Sequence, residues 1–247
     1  MEELDEKMEE QEKLRYAEFK RKLNLEAAQG QISKLEYNLT DATTDKNLLR
    51  RACQEAARLN IGALCVLPNH VKPCVGYLGR DPQVSLIACI SFPHGGDSTK
   101  IKVAAVKQAV KDGVDEAEVS APVSYIKDGN WGYVKREFKK VKKAGKNRAV
   151  RINVESPLLT PQELNKVCTI AADCGIPSLR THSGYFGGGF DGEVVSRMKA
   201  AVKDKCTIKA DGISNISDMD IAVDMGAGII GSKCALDLAQ LILNAVN

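Results

Sequence analysis

Aromatic residues are scarce in this chain of 247 residues: five Phe, six Tyr and one Trp. That is little stacking surface, and no basic patch interleaved with aromatics occurs, so a nucleic-acid partner is not expected. A net charge of +3 is too small to draw the chain to a polyanion or an acidic membrane. No apolar run reaches the length that spans a bilayer, and no signal-peptide pattern is read at the N-terminus. Cysteines are present, at positions 53, 65, 74, 89, 168, 174, 206 and 234, but none stands in a CxxC or other zinc spacing. The three histidines, His70, His94 and His182, do not approach metal-ligand spacing either. The expectation is a cytoplasmic, reduced chain with no metal, no cofactor and no membrane partner. Cys65 and Cys89 fall inside apolar strand-like runs, where a free thiol behaves as a small hydrophobe.

What is present is an ordinary globular composition, 44% hydrophobic and 27% charged, with a strong alternation of patterns. Residues 1–30 are dense in Glu and Lys, with Leu4, Met8, Leu14, Phe19, Leu23 and Leu25 interspersed. This reads as a charged helix with a thin apolar stripe, ending at Gly30 and covering one end of a barrel. Its alternative use is a contact in a homo-oligomer. Beyond it, apolar runs such as Leu35–Leu39, Ala63–Leu67, Val84–Ile90 and Ala149–Val154 alternate with helical spacings such as Lys46–Asn60, Lys100–Asp112 and Pro161–Cys174. Eight such strands, each followed by a helix, predict an α/β fold: a single (β/α)8 TIM barrel over residues 31–247, with the extra N-terminal helix before it.

In such barrels the reactive groups stand at the C-terminal ends of the strands. Those ends carry Asn38 and Thr40, Cys65 with Pro68-Asn69-His70, Phe92-Pro93-His94-Gly95, Glu118, Arg151 with Glu155, Arg180 through Gly184, Lys209 with Asp211-Gly212, and Ser232-Lys233. Side chains alternate along a strand, so Arg151, Asn153 and Glu155 share one face. Charges directed into a barrel are costly unless paired or used, and this inventory points to a small anionic ligand.

Several of these segments, in order, resemble the deoxyribose-phosphate aldolase family. They are Tyr37-Asn38-Leu39-Thr40, Cys65-Val66-Leu67-Pro68, Ser91-Phe92-Pro93-His94-Gly95, Asp115-Glu116-Ala117-Glu118-Val119, and Arg151-Ile152-Asn153-Val154-Glu155-Ser156 followed by Leu158-Leu159-Thr160. The resemblance covers roughly Glu36 to Ala235. It implies a class I aldolase barrel, a phosphorylated substrate, and catalysis by a lysine Schiff base with a second lysine and acids beside it. The family's Schiff-base strand carries Lys followed by Thr-Ser-Thr-Gly, and here that stretch is Arg180-Thr181-His182-Ser183-Gly184. The matching aspartates are Glu118 and Asn38, and the second lysine is Lys209.

The departures have chemical consequences. Glu118 keeps an acid and Asn38 removes one, while Arg180 keeps the positive charge but removes the amine that could form an imine. An amine beside a fixed cation is pushed toward neutrality, so Lys209 next to Arg180 is a candidate relocated nucleophile; its alternative is an ion pair with Glu118. The changed spacing between Lys209 and the following glycine leaves open which way that lysine faces. His182, at the altered strand end, is a candidate general acid or base. By the same resemblance Gly184, Gly212, Gly231 and Ser232 are candidate phosphate ligands, with Lys233 as an added cation and Gly187-Gly188-Gly189 as a loop over them. The reading is a barrel that binds a small phosphorylated or anionic aldehyde or sugar, with altered lyase or isomerase chemistry. The alternatives are a catalytically inactive binding or regulatory homologue and an ordinary aldolase.

Overall fold

The computed structural model describes residues 2–79 and 83–246, with the side chains of the first helix described from Arg15 onward. Parallel strands close in sequence order into an eight-stranded barrel. They are β1 (Leu35–Leu39), β2 (Ala63–Val66), β3 (Ser85–Ile90), β4 (Glu116–Ser120), β5 (Ala149–Asn153), β6 (Ser178–Arg180), β7 (Thr207–Ala210) and β8 (Ala227–Ser232), and β8 pairs back onto β1. The helices are α1 (Glu2–Ile32), α2 (Lys46–Leu59), α3 (Val71–Leu78), α4 (Thr99–Asp112), α5 (Val123–Lys127), α6 (Trp131–Ala144), α7 (Pro161–Asp173), α8 (Gly192–Val202), α9 (Ile216–Asp224) and α10 (Ala235–Asn244). This is the (β/α)8 architecture that the alternation predicts.

Local chemistry fixes the boundaries. The Asp45 side chain accepts from Leu48 N to start α2, and Asn60 in the left-handed region ends it. Thr160 and Glu163 form a reciprocal capping box around Pro161 at the start of α7. Along each strand one face meets the helices and the other the barrel interior. Leu64, Val66, Leu86, Ala88, Ala117, Val119, Val150, Ile152, Leu179 and Ile208 join the helix-facing core. Burying a branched side chain of this kind contributes about 1.5–3 kcal/mol, so this outer layer holds the fold. The interior face can therefore carry polar groups, and it does.

Two differences from the sequence reading have physical reasons. Helix α1 does not stop at Gly30 but continues to Ile32, ending where Ser33 Oγ bonds the Gly30 carbonyl. A helical glycine costs only about 1 kcal/mol and ends a helix when it adopts a positive φ, which Gly30 does not. Ala28 and Ile32 are buried, whereas Tyr16, Phe19, Leu23 and Leu25 are exposed; Leu4, Met8 and Leu14 lie outside the described side chains. The short helix α5 was also not foreseen, since five residues carry too little periodicity to read. Among the described residues no helix is long and apolar enough to cross a membrane.

Candidate active site

The barrel register sets the site. It places Cys89 beside Glu118, Glu118 beside Arg151, and Arg180 beside Lys209. Toward the N-terminal end of the barrel, Arg151 bonds Glu116 through Nε and Nη2 and Glu36 through Nη1. Toward the C-terminal end, Arg180 Nη1 donates to Glu118 Oε1 at 2.7 Å. Arg180 Nε lies 2.7 Å from the His182 carbonyl and 2.9 Å from Asp211 Oδ2. Lys209 Nζ pairs with Glu36, donates to Asn38 Oδ1 at 3.0 Å and reaches Glu118 Oε2 at 3.3 Å. Asn38 Nδ2 completes the circuit by donating to Asp211 Oδ2 at 2.9 Å. Arg180, Glu118 and Glu36 are each 1% exposed and Lys209 is 0%.

Sequence reasoning left open which way Lys209 faces, and the structure directs it into the barrel, with Asn38, Glu118 and Arg180 in one network. Of the two readings of Lys209, the ion pair with Glu118 is the one the geometry shows. Burial and the Arg180 guanidinium do push the Lys209 pKa down, but Glu118 and Glu36 outweigh them, and the net shift is upward. Lys209 is a paired ammonium, not a neutral amine. Burial works to raise the Glu118 pKa, but Lys209 and Arg180 hold the carboxyl down at about 2. Burial likewise opposes ionisation of Asp211, and Arg180 and Lys209 outweigh it. Buried charges of this kind are tolerable because each has opposite-sign partners within bonding distance.

His182 is different. Burial lowers its pKa, Asp211 opposes that shift, and Arg180 and Lys209 reinforce it, so the ring is neutral at physiological pH. Its Nδ1 lies 3.0 Å from Thr181 Oγ1, which itself accepts from Asp211 N at 3.0 Å. The Thr181 proton is then free to point at Nδ1, a pattern that leaves the ring hydrogen on Nε2. That Nε2 is buried and has no protein partner. His182 lines a cavity of about 620 Å³ with Ser156, Thr181, Asp211 and the Gly188-Gly189-Phe190-Asp191 loop. The buried hydroxyls of Thr40 and Ser120, at the C-terminal ends of β1 and β4, also have no protein partner. Unpaired buried polar atoms are rare, and these three all belong to the C-terminal end of the barrel.

The candidate phosphate ligands lie along the ends of β6, β7 and β8. Gly231 is closely packed: a Cβ there would meet Asp211 Oδ2 at 2.2 Å and Lys209 Cε at 2.8 Å. Ser232 Oγ donates to the Ile213 carbonyl at 2.6 Å and accepts from Cys234 N. Gly212, at φ +83°, lies under Gly189 and Phe190. Gly184, at φ +82°, is open to the mouth, and the exposed Lys233 places Nζ 5.4 Å from the Tyr185 ring centroid.

Sequence reasoning missed Glu36, the main partner of Lys209, although it stands two residues before Asn38 and so shares its face of β1. Asp211 entered only as part of a turn. Glu155, read at the end of β5 but given no role, is buried in the left-handed region at φ +55°; burial raises its pKa, and hydrogen bonds from Ser183 and Asn153 only partly offset that.

Comparison with known proteins agrees with this geometry. No protein-family model matches the chain. A deoxyribose-phosphate aldolase of Clostridium botulinum is 34% identical over 203 residues, covering 82% of this chain and 95% of the relative. One of Staphylococcus carnosus is 31% identical over 201 residues, 81% of this chain and 90% of the relative. Among solved structures, the tetrameric deoxyribose phosphate aldolase of Aeropyrum pernix superposes with a TM-score of 0.80 at 22% identity, covering 88% of this chain and 93% of that one, which shows the fold. With these sequence relatives spanning nearly their whole length, the chain belongs to the deoxyribose-phosphate aldolase family.

Proposed function

We propose that the protein binds a small phosphorylated or anionic aldehyde or sugar at the C-terminal mouth of the barrel and acts on it as a lyase or isomerase by proton transfer, without a lysine imine. The observation that carries this reading is the neutral His182 ring, which lines the cavity, has a buried Nε2 with no protein partner, and follows the Arg180 whose Nε holds its carbonyl. A neutral imidazole that carries its hydrogen on Nε2 can donate to a substrate carbonyl and stabilise the oxyanion as it forms. Arg180 and Lys209 supply positive potential near the reacting atoms but no nucleophile, since both are paired and charged. Lys233 and the open turn at Gly184 are the groups placed to meet an anionic end at the rim.

The second reading is a binding or regulatory protein with no turnover. The saturation of the interior favours it: Glu36, Glu116, Glu118 and Asp211 are all engaged by Arg151, Arg180 and Lys209. The test is a direct assay with deoxyribose 5-phosphate, whose name the relatives carry, following aldehyde release and isomer formation alongside a thermal shift. Turnover that falls at least tenfold in His182→Asn, with the ligand-induced shift retained, supports the proton-transfer reading. A thermal shift with no product in the wild type supports the binding reading instead. Neither shift nor product removes this class of ligand.

A further inference from the structure

Two thiols that the proposed chemistry does not use meet inside the barrel. Cys65 on β2 and Cys89 on β3 point inward with Ala63 and Ile87, and their Sγ atoms are 3.1 Å apart. The two sulfurs differ in access. Cys89, 1% exposed, lines a cavity of about 360 Å³ at the barrel mouth with Leu67, Pro68, Ser91, Phe92 and His94, whereas Cys65, 0% exposed, does not line it. Phe92 caps the Arg180 guanidinium at 5.6 Å, so a fixed positive charge stands next to this floor. On the other side Cys89 Sγ is 3.8 Å from Glu118 Oε1.

We propose that Cys65 and Cys89 form a dithiol modification site that hydroperoxides oxidise to a disulfide, Cys89 being the sulfur attacked first. Arg180 lies within electrostatic reach of both thiols, and Cys89 is the one that lines the cavity by which a peroxide would enter. The Cys89 sulfur displaces one oxygen of the peroxide; the O–O bond breaks, water or an alcohol leaves, and Cys89 becomes a sulfenic acid. Cys65 then attacks that sulfur, the S–O bond breaks and a second water carries off the Cys65 proton. Two thiols are oxidised by two electrons in total, and the peroxide is reduced. The sulfurs must close from 3.1 Å to a bond of about 2.05 Å, an approach of about 1 Å. Burial and the hydrogen bond to Cys89 raise the Cys65 pKa, in keeping with a resolving thiol that does not react alone. Forming the bond removes the Cys89 hydrogen from Glu118, which ties the site's central acid to the oxidation state.

The chain carries its own control. Cys53 and Cys74 share a thiol hydrogen bond between α2 and α3, buried in the apolar core among the helices, and neither lines the cavity at the mouth. Proximity is common to both pairs, and only access to the mouth and a neighbouring cation distinguish them.

The test treats the full-length protein with equimolar hydrogen peroxide, blocks free thiols, and maps peptides by mass without reduction. The expected result is a Cys65–Cys89 cross-link, a mass lower by about 2 Da, the two hydrogens removed, and reversal by dithiothreitol, with Cys53 and Cys74 still free. Cys65→Ser is expected to leave a sulfenic acid on Cys89 that dimedone traps, while Cys89→Ser leaves Cys65 unmodified. Where either serine variant fails to fold by circular dichroism, the alanine variant replaces it. A wild-type chain with both thiols intact, a Cys53–Cys74 link formed as fast, or oxidation of Cys65 in the absence of Cys89 would overturn the proposal.

Discussion

Arg180 and Lys209 stand side by side on adjacent strands and share one acid: Glu118 accepts from Arg180 Nη1 at 2.7 Å and from Lys209 Nζ at 3.3 Å. Two cations one strand apart repel, and the arrangement holds because Glu36 and Asp211 take up the other side of each. The Arg180 guanidinium is thus built into a four-strand network.

Arg180→Met should cost about 3–5 kcal/mol, because it strands Glu118 and Asp211 in the interior with one partner fewer each. Arg180→Lys should lose less, since it restores the charge, but it cannot bond both acids with the planar fork that arginine provides. Urea denaturation of the three proteins measures this. Equal stability of wild type and Arg180→Met would mean that the network does not hold the barrel together.

Acid should destabilise the fold in two stages. The folded-state pKa of His182 is lowered from 6.5, so stability is full above that value and falls as pH drops below it, where the unfolded chain binds a proton that the folded ring resists. Glu118 and Asp211 have lowered pKa values, so their contribution is full above the ordinary carboxylate range and is lost as pH falls toward about 2, the Glu118 value. Glu155, with a raised pKa, works in the opposite direction, its contribution growing as pH falls toward the ordinary carboxylate range and so preceding the second stage. His182→Asn should flatten the stability profile below about pH 6.5 and leave the carboxylate stage in place. Thermal melts across that range check it, and an unchanged slope would mean that the ring is not held neutral.

Gly231→Ala should destabilise by about 1–3 kcal/mol, as an inserted methyl must displace Asp211 and Lys209 from their pairs. Gly184→Ala meets no neighbouring atom and should cost only about 1 kcal/mol of backbone strain at its positive φ. If the two substitutions cost the same in chemical denaturation, the tight packing at Gly231 is not real.

Much of this was legible before the fold. The barrel is written in the alternation of short apolar runs and helical spacing, and the inward direction of Glu118, Arg151 and Arg180 follows from strand periodicity. What the sequence concealed is pairing across the interior. Glu36 and Lys209 are 173 positions apart, and only barrel closure brings them together. The net sign of the Lys209 shift depended on that unseen acid, so a pKa argued from Arg180 alone pointed the wrong way. Ser232 and Gly231 are read as anion ligands from the resemblance, and their neighbours in space, Ile213 and Asp211, could not be placed from the chain alone.

The central claim is that this barrel has no nucleophilic amine in its site. The most direct measurement is borohydride reduction of the protein with a small aldehyde, followed by intact mass and peptide mapping, for the wild type and for Arg180→Lys. No reduced adduct on Lys209 in the wild type is the expected result, with an adduct at position 180 in Arg180→Lys, where an amine is introduced. A stoichiometric adduct on Lys209 of the wild type would contradict the account.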